Sequence, residues 1–434
     1  MKKICVVGTG YVGLVSGTCF AEMGHHVICV DKDKNKIDIL NSGHIPIYEP
    51  GLEELVKKNK KLGRLKFTTS IEEGVTPSEI VFIAVNTPSM EDGSADLSFV
   101  EASTREVVRF SKGYKLLVEK STVPVQTGDR IKSSLSAIRN SKATIEVASN
   151  PEFLREGSAI KDFLNPDRIV IGVESKRSEK ILRELYQKLK APMIVTDIKS
   201  AELIKHASNS FLALKISYIN AIANICEKVG ADVGRVSQGM GFDKRIGASF
   251  LNAGIGYGGS CFPKDIAAFI KIADQNGYDF SLLKAVQKIN SDQRLQIVKK
   301  IEEKLWNVKD KNIGILGLSF KPDTDDLRNA PALDIIQALL SKGAKIKAFD
   351  PIVNNKVKKI IPQVEYMDDI YSVAKHAHAL VILTEWNVFR KMNLKKVRSV
   401  MESPVIIDGR NIFSLEQMEK NGFSYVSVGR PAVV

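Results

Sequence analysis

One segment of the chain places a cysteine behind a run of glycines, a combination of residues that can do covalent chemistry. Gly254-Ile-Gly-Tyr-Gly-Gly-Ser-Cys-Phe-Pro-Lys-Asp265 carries Cys261 after the glycines and an aspartate four residues later. Pro263 suits the first turn of a helix, and the positive end of a helix favours a thiolate. The segment therefore predicts a nucleophilic thiol at a helix entrance, with Asp265 one turn inward. A buried cysteine in an ordinary glycine-rich turn is the alternative.

A lysine and an asparagine form a second candidate set on a long predicted helix. Residues 200–229 show apolar positions three and four residues apart, which is typical of an amphipathic helix. A helix of about 30 residues is long for a globular domain, so we expect it to connect domains or to form a subunit interface. Lys205 and Asn209 share one face of it, and both donate hydrogen bonds of the kind that stabilise an oxyanion. A pair of solvent-exposed polar residues is the alternative.

The N-terminal residues have the order of a dinucleotide-binding unit. The strand Lys3–Val7 is followed by Gly8-Thr-Gly-Tyr-Val-Gly13, a helix to about Met23 and a second strand, Val27–Val30, that ends on Asp31. The glycines allow a tight turn and close approach of a pyrophosphate to the helix N-terminus. Asp31 can accept hydrogen bonds from a ribose diol and would repel a 2′-phosphate. This pattern predicts NAD rather than NADP.

Three further strands, at 80–85, 115–119 and 145–148, are each followed by polar, turn-forming residues. Each of these loops alone is typical of an ordinary βα connection. Because the carboxyl ends of parallel strands meet at the edge where α/β proteins bind ligands, the three together indicate a site. The loops are Asn86-Thr-Pro-Ser89, Lys120-Ser-Thr-Val-Pro124 and Ser149-Asn-Pro-Glu-Phe-Leu-Arg-Glu156.

The last third of the chain predicts a second Rossmann-like domain. Its strands, expected at 312–320, 345–349, 379–384 and 405–408, come without the full glycine fingerprint. We therefore expect a nucleotide-like ligand that is not the redox cofactor. Basic residues at strand ends suit phosphates; they are Lys321, Arg328 and Arg410.

Composition limits the class of protein. A chain of 434 residues that is 44% hydrophobic can fill two or three cores. Since no run of about 18 apolar residues occurs, we expect no membrane span. The apolar run at the N-terminus ends at Gly8, too short for a secretory signal. Five cysteines without a C-x-x-C pair favour a reducing cytoplasm.

The net charge of +13 is dispersed among acidic residues. A solvated surface explains it best, attraction of small phosphorylated ligands comes next, and nucleic acid is the weakest alternative. His376 and His378 have no acidic or thiol cluster nearby in the sequence, so no metal site is expected.

In their order along the chain, these motifs resemble the nucleotide-sugar dehydrogenases, the UDP-glucose/GDP-mannose dehydrogenase family. The resemblance covers essentially the whole chain, and Gly258-Gly-Ser-Cys-Phe-Pro-Lys-Asp265 is its most specific part. Asn329 departs from it, since an acidic residue is expected there. The motifs are Gly8–Gly13 with Asp31, Val85–Pro88, Glu119–Pro124, Ser149–Leu154, Lys205 with Asn209, Gly256–Asp265 and Phe320–Arg328.

The resemblance implies an α/β protein with two Rossmann-like doubly wound domains, joined by a long central helix and a helical dimerisation region. The expected boundaries are 1–196 for an NAD-binding domain, 197–300 for a central helical domain with the cysteine loop, and 301–434 for a UDP-sugar-binding domain. A homodimer or larger homo-oligomer is expected, with no nucleic-acid or membrane partner.

The implied activity is a four-electron oxidation of a primary alcohol to a carboxylate with two NAD in turn, and the favoured substrate is UDP-glucose. The same chemistry on GDP-mannose or a UDP-N-acetylhexosamine remains open. So does a single hydride transfer of the 3-hydroxyacid or 6-phosphogluconate type, which has no use for Cys261. A catalytically silent sugar-nucleotide-binding protein is the third alternative.

The resemblance also implies a role for each site residue. Cys261 forms a thiohemiacetal and then a thioester, and Lys205 with Asn209 stabilises the oxyanions. Glu152 positions the hydrolytic water, while Asp265 and Thr122 hold a water that accepts the first proton. Expected NAD contacts are Gly8, Gly10, Tyr11, Val12, Gly13, Asp31, Lys36, Thr87, Thr122, Glu156, Lys264 and Arg328. Expected substrate contacts are Glu152, Phe153, Leu154, Lys205, Asn209, Phe250, Asn252, Tyr257, Gly258, Phe320, Lys321, Arg410 and, across a dimer interface, Arg245.

Overall fold

The computed structural model describes residues 1–137 and 143–433. The chain forms two compact units. The first comprises Met1–Ser208 with Ala267–Tyr278, and the second comprises Asn209–Ile266 with Asp279–Val434. Each unit contains its own sheet.

The sheet of the first unit has the order β3-β2-β1-β4-β5-β6-β7-β8 over the described residues, and its pairs are parallel except for β6 with β7. The first six strands thus follow the Rossmann order. The strands are β1 (Lys3–Val7), β2 (His26–Val30), β3 (Leu65–Thr68), β4 (Ile80–Ile83), β5 (Gly113–Glu119), β6 (Ala143–Ser149), β7 (Ile169–Gly172) and β8 (Met193–Thr196).

Successive residues of a strand point to opposite sides of the sheet, so apolar strands such as these present an apolar surface on both faces. Helices cover both of these faces. In β1, Ile4 and Val6 join one apolar cluster, whereas Cys5 and Val7 join another. The helices are α1 (Tyr11–Glu22), α2 (Lys34–Asn41), α3 (Leu52–Lys61), α4 (Ile71–Val75), α5 (Ser98–Phe110), α6 (Thr127–Ala137), α7 (Ala159–Leu164) and α8 (Lys176–Tyr186).

Four helices follow between the two sheets in the chain. They are α9 (Ile198–Val229), α10 (Val233–Phe242), α11 (Phe262–Gln275) and α12 (Ser281–Leu305). Helix α9 is one continuous helix of 32 residues, so the prediction of a long helix over 200–229 is confirmed. Helix α11 begins directly after Cys261, as the position of Pro263 indicated.

The sheet of the second unit has the order β11-β10-β9-β12-β13-β14 in the described part of the chain, which repeats the Rossmann order. Its strands are β9 (Asn312–Leu316), β10 (Lys345–Phe349), β11 (Glu365–Tyr366), β12 (Ala379–Ile382), β13 (Val405–Asp408) and β14 (Ser424–Ser427). Its helices are α13 (Pro331–Ser341), α14 (Asn354–Ile360), α15 (Ile370–Ala374), α16 (Asn387–Arg390), α17 (Leu394–Val400) and α18 (Leu415–Lys420).

The predicted fold class is confirmed: the protein is α/β, with two Rossmann-like sheets and a long helix. Some strand bounds differ. Strand β9 ends at Leu316 rather than at Phe320, because Gly317 has φ +94° and packs against Thr384. The edge strands β3, β11 and β14 were not predicted. No helix within 1–137 and 143–433 is long and apolar enough to cross a membrane.

Candidate active site

The glycines that follow β1 form a cradle that a side chain would fill. A Cβ on Gly13 would lie 2.0 Å from the carbonyl oxygen of Gly8, and a Cβ on Gly8 would lie 2.5 Å from that of Ala84. Gly10 precedes α1, and its nearest neighbour for a Cβ is Asn86 Oδ1 at 3.5 Å. Two of the glycines are thus required by the fold, whereas Gly10 leaves open space at the helix N-terminus.

Asp31 stands at the end of β2 and is held by the loop after β1. Its Oδ2 accepts hydrogen bonds from the backbone N–H and the hydroxyl of Thr9, both at 2.8 Å, and its Oδ1 accepts from the N–H of Asp33 at 3.0 Å. Burial alone raises the pKa of Asp31, but these hydrogen bonds outweigh it and the pKa is lowered. The carboxylate is therefore ionised, and Asp31 is partly exposed.

These groups line a cavity of about 400 Å³ in the first unit. It contains four of the expected cofactor residues, namely Gly8, Gly10, Asp31 and Lys36. Tyr11 and Val12 instead pack against the core under the sheet, and the hydroxyl of Tyr11 donates to the buried carboxylate of Glu49. The cavity has the size and polarity of a small-molecule site.

The loops after β4 and β5 are joined through two threonines. The hydroxyl of Thr87 donates to the carbonyl oxygen of Thr122 at 2.9 Å. Beneath this loop lie two acidic side chains: burial raises the pKa of Glu119 to about 8 and that of Glu202 to about 7. Glu202 accepts from the backbone N–H groups of Gln126 and Gly128.

A buried ion pair joins the loop after β6 to helix α9. Lys205 Nζ lies 2.9 Å from Glu152 Oε1, and both side chains are about 5% exposed or less. Glu152 Oε2 accepts from the backbone N–H of Leu154, and the Lys205 ammonium lies 5.4 Å from the centre of the Phe153 ring. The sequence placed Glu152 and Lys205 in one site without predicting that they touch.

In the second unit, the cysteine loop leads into α11 as predicted. The backbone N–H of Asp265 donates to the carbonyl oxygen of Cys261 at 2.8 Å, which closes the first helical turn. Asp265 is 1% exposed, and its Oδ2 accepts from the amide of Asn209 at 2.6 Å. Lys264 Nζ lies 2.9 Å from Asp265 Oδ1. A partly exposed thiol is thus followed by a buried, hydrogen-bonded carboxylate.

The glycines before Cys261 are used for close packing. A Cβ on Gly258 would lie 2.3 Å from the carbonyl oxygen of Asn329, and one on Gly259 would lie 2.8 Å from the Phe320 ring. Asn329 has φ +51°, and its amide donates to Gly259 O at 3.2 Å. An aspartate could not donate this hydrogen bond, so the asparagine is functional in holding the loop.

Two side chains of α12 clamp the same loop, and the sequence analysis missed both. Asn290 Oδ1 accepts from the N–H of Tyr257 at 2.8 Å, and Asn290 Nδ2 donates to the Tyr257 carbonyl at 3.1 Å. Arg294 donates to the carbonyls of Tyr257 and Asn329, each at 3.3 Å. The sequence feature that could have indicated this role of Asn290 is its place on the apolar face of a helix, between Val286 and Ile297.

Other expected substrate residues lie in the second unit, and they differ in how far their side chains are already bonded to or packed against other residues. The Tyr257 ring packs edge-on against Phe262 at 5.6 Å, and Phe250 lies 6.4 Å from the same ring. The Arg410 guanidinium donates to the carbonyls of Leu383, Gly256 and Phe320, so it supports the loop as well as offering charge. Lys321 lies over the Phe320 ring, Arg328 pairs with Asp326, Arg245 pairs with Asp243, and Asn252 is exposed.

The second Rossmann crevice differs from the first in its acidic residue. Asp350, at the end of β10, accepts hydrogen bonds from the N–H groups of Leu318 and Ser319, from the Ser319 hydroxyl and from the Trp386 indole, at 2.8 to 3.1 Å. Two of these four donors have counterparts at Asp31, namely the N–H and the hydroxyl of Thr9, and Asp31 remains partly exposed, whereas Asp350 is 2% exposed. The protein's own donors therefore occupy the acid that a dinucleotide ribose would need.

Three segments of the chain match successive domains of the UDP-glucose/GDP-mannose dehydrogenase family. They are the NAD-binding domain at residues 2–190, the central domain at 199–292 and the UDP-binding domain at 314–415.

Relatives match over the whole length. The chain is 52% identical to a UDP-glucose 6-dehydrogenase of Bacillus subtilis (strain 168), covering 100% of this chain and 94% of that protein. It is 46% identical to a UDP-glucose 6-dehydrogenase of Rhizobium meliloti (strain 1021), covering 99% and 100%. The structure of a UDP-glucose dehydrogenase from Pyrobaculum islandicum superposes with a TM-score of 0.93 at 38% identity, covering 99% of this chain and 98% of that one.

Proposed function

Because this chain belongs to the UDP-glucose/GDP-mannose dehydrogenase family, we propose that it oxidises UDP-glucose to UDP-glucuronate. The reaction converts the C6 alcohol into a carboxylate and releases two hydrides per sugar. The observation that carries the proposal is Cys261 at the entrance of α11, one helical turn before a buried aspartate. A single hydride transfer needs no thiol at this place.

The first unit fits NAD. When bound, NAD supplies the hydride acceptor for both oxidations. Gly10 leaves room for the pyrophosphate at the start of α1, and Gly8 and Gly13 allow the close backbone packing of the turn before it. The partly exposed carboxylate of Asp31 has lone pairs left for a ribose diol. Its negative charge disfavours the 2′-phosphate of NADP. Thr87, Thr122, Glu156, Lys264 and Arg328 complete the proposed cofactor contacts.

Cys261 makes the second oxidation possible, because it binds the aldehyde covalently. After the first oxidation, its thiolate adds to the C6 aldehyde and forms a thiohemiacetal, which keeps the aldehyde on the protein. Loss of a second hydride from C6 leaves a thioester. Water then attacks the thioester carbon, the C–S bond breaks, and the carboxylate product leaves with the thiolate restored.

Charged and polar side chains stabilise each stage. Lys205 and Asn209, one turn apart on α9, donate to the oxygen that becomes negative in both additions. Glu152 accepts the proton of the hydrolytic water, and its ion pair with Lys205 fixes the carboxylate. Asp265 and Thr122 hold the water that takes the proton of the C6 hydroxyl.

The proposed sugar-nucleotide contacts come from residues expected in the sequence. They are Phe153, Leu154, Phe250, Asn252, Tyr257, Gly258, Phe320, Lys321 and Arg410. We also propose the division into domains 1–196, 197–300 and 301–434. Since the reaction consumes NAD and needs Cys261 as a free thiol, we propose a cytoplasmic location for the enzyme.

A homodimer is proposed through helix α9. Phe211, Tyr218 and Ile225 repeat every seven residues on it and are 49% to 60% exposed, which is a large apolar stripe for a surface. Arg245, 89% exposed at its side chain, would reach the substrate of the other subunit. Sedimentation of the protein and of Tyr218→Lys tests this, since a monomeric wild type contradicts it.

The deciding experiment counts NADH released per sugar consumed, with UDP-glucose, GDP-mannose and UDP-N-acetylmannosamine in parallel. Two NADH per UDP-glucose, with little from the others, supports the proposal. Two per molecule of another sugar nucleotide changes the substrate, and one or none contradicts the reaction. Cys261→Ser must lose acid formation, while Cys226→Ala, which changes a thiol buried elsewhere in the second unit, retains it.

A further inference from the structure

Lys120, in the loop after β5, is a buried cation to which the proposed reaction assigns no role. It is 4% exposed, and its ammonium donates to the backbone carbonyl of Asn150 at 3.2 Å and to Asn150 Oδ1 at 3.0 Å. Burial lowers the pKa of Lys120 to about 8; the charge of Glu152 opposes this effect and that of Lys205 adds to it. A buried lysine is costly unless its charge is compensated.

Asn150 connects this cation to the loop that carries Glu152. Its backbone N–H donates to the Glu119 carbonyl at 2.8 Å, its amide donates to Val170 O at 2.7 Å, and its Oδ1 also accepts from the Tyr186 hydroxyl. Asn150 is therefore fixed on every side. Since it lies two residues before Glu152, its position sets where the Glu152 side chain begins.

A cavity of about 200 Å³ lies behind this loop in the first unit. Lys120, Asn150, Glu152, Tyr186 and Arg168 are among the side chains that line it. The volume has room for several water molecules, and the polar lining offers them partners. Arg168 stacks on the Phe153 ring at 3.6 Å, which keeps one wall of the cavity in place.

The electrostatic balance around Glu152 depends on Lys120. Lys205 pairs with Glu152 directly, and Lys120 lines the same cavity as Glu152. Two cations and one carboxylate leave a net positive charge in a buried region. The contacts of Lys120 with Asn150 and of Lys205 with Glu152 together hold this loop.

We propose that Lys120 is a positioning residue for thioester hydrolysis: through Asn150 it fixes the loop of Glu152, and the cavity beside them supplies the hydrolytic water. The inference rests on the proposed function. Lys120 forms no bond with the sugar in this scheme. Glu152 takes the proton from water as the water oxygen adds to the thioester carbon, and the Cys261 thiolate is the leaving group.

The test separates hydrolysis from oxidation. Wild type, Lys120→Met and Lys115→Met are mixed rapidly with UDP-glucose and excess NAD, and NADH is followed from the first turnover. Lys115→Met is the matched control, since it removes another buried ammonium of the first unit, one that donates to the backbone carbonyls of Thr76 and Ser78 instead of to Asn150. Intact-protein mass spectrometry after quenching reports a sugar-nucleotide adduct on Cys261.

For Lys120→Met we expect a burst of two NADH per active site, followed by a steady rate roughly 10- to 100-fold below the wild type. This loss is smaller than the roughly 100- to 10,000-fold that removal of a general base itself costs, because Glu152 is still present. The mass adduct should accumulate in parallel, and Lys115→Met should stay within about threefold of the wild type. If Lys120→Met does not fold, as judged by thermal unfolding, Lys120→Gln keeps a donor without the charge and carries the same expectation.

A Lys120→Met enzyme that turns over as fast as Lys115→Met overturns the inference. So does a slow enzyme that shows neither burst nor adduct, because its defect then precedes the thioester. Failure of the proposed function is distinguishable from both results, since the wild type itself would not release two NADH per sugar.

Discussion

The side-chain amide of Asn209 donates a 2.6 Å hydrogen bond to Oδ2 of Asp265. This contact fixes a carboxylate that is 1% exposed, one helical turn from the thiol of Cys261. Asparagine is uncharged, so it orients the carboxylate without neutralising it. The carboxylate charge beside the start of α11 is balanced instead by Lys264, whose Nζ lies 2.9 Å from Oδ1.

Asp265→Asn removes this charge and keeps the shape of the side chain. We expect kcat to fall about 100-fold or more, as for loss of a general base, with little change in KM for UDP-glucose. Steady-state NADH production measures both constants. Asp292→Asn, which breaks a surface ion pair with Lys288 on α12, is the control, and an equal loss in both variants would argue against a specific role of Asp265.

Asn290→Asp should disturb the cysteine loop. The new carboxylate still accepts from the N–H of Tyr257, but it faces the Tyr257 carbonyl that Asn290 Nδ2 now satisfies. We expect the free energy of unfolding to fall on the order of 1–3 kcal/mol, the cost of a buried polar mismatch. Urea denaturation measures it. Unchanged stability would show that the clamp is not needed to hold the loop.

Gly10→Ala separates ligand approach from folding. The added Cβ finds its nearest neighbour, Asn86 Oδ1, at an ordinary contact of 3.5 Å, so the melting temperature should change little. The KM for NAD should rise roughly tenfold, since every 1.4 kcal/mol of lost contact is a factor of ten. Gly239→Ala, in open space on α10, is the control. An unaffected KM would remove Gly10 from the cofactor site.

Glu119→Gln tests the buried carboxyl beneath the Thr122 loop. Burial raises the pKa of Glu119 to about 8, and the neighbouring Glu202 adds to the effect. Since the folded state holds this proton more tightly than the unfolded state, wild-type stability falls as the pH rises from the ordinary carboxyl range through about 8. The substitution should therefore stabilise the protein on the order of 1–3 kcal/mol at pH 8.

At pH 5 the same substitution should have little effect, because Glu119 is then protonated in the folded state. Thermal unfolding at the two pH values measures the difference. Glu73→Gln, an exposed carboxyl near the end of β3, is the control. Equal shifts at pH 5 and pH 8 would contradict the assignment of the buried proton.

The sequence predicted the fold class, the dehydrogenase family and the NAD cofactor, and the comparisons confirm them. Local patterns sufficed here: Gly8–Gly13 between two strands specifies a turn, and Pro263 specifies where a helix begins. The roles of individual site residues stay predictions.

Contacts between distant segments were beyond the sequence. Asn290 holds Tyr257 across 33 residues, and no local pattern encodes that distance. Lys120 was expected only as part of a polar loop, because a lysine is usually exposed and its burial depends on Asn150, 30 residues away. Gly317 ended β9 early because Thr384, on another strand's loop, packs against it.

Because donors of the protein itself occupy the carboxylate of Asp350, the described part of this chain has one crevice that suits a dinucleotide. The proposed reaction nevertheless transfers two hydrides per sugar. The half-oxidised sugar must then stay on the protein while spent cofactor departs and fresh cofactor enters. A covalent bond to Cys261 meets this need. It separates the residence time of the sugar from that of the cofactor, so the cofactor can bind weakly enough to exchange within a single turnover.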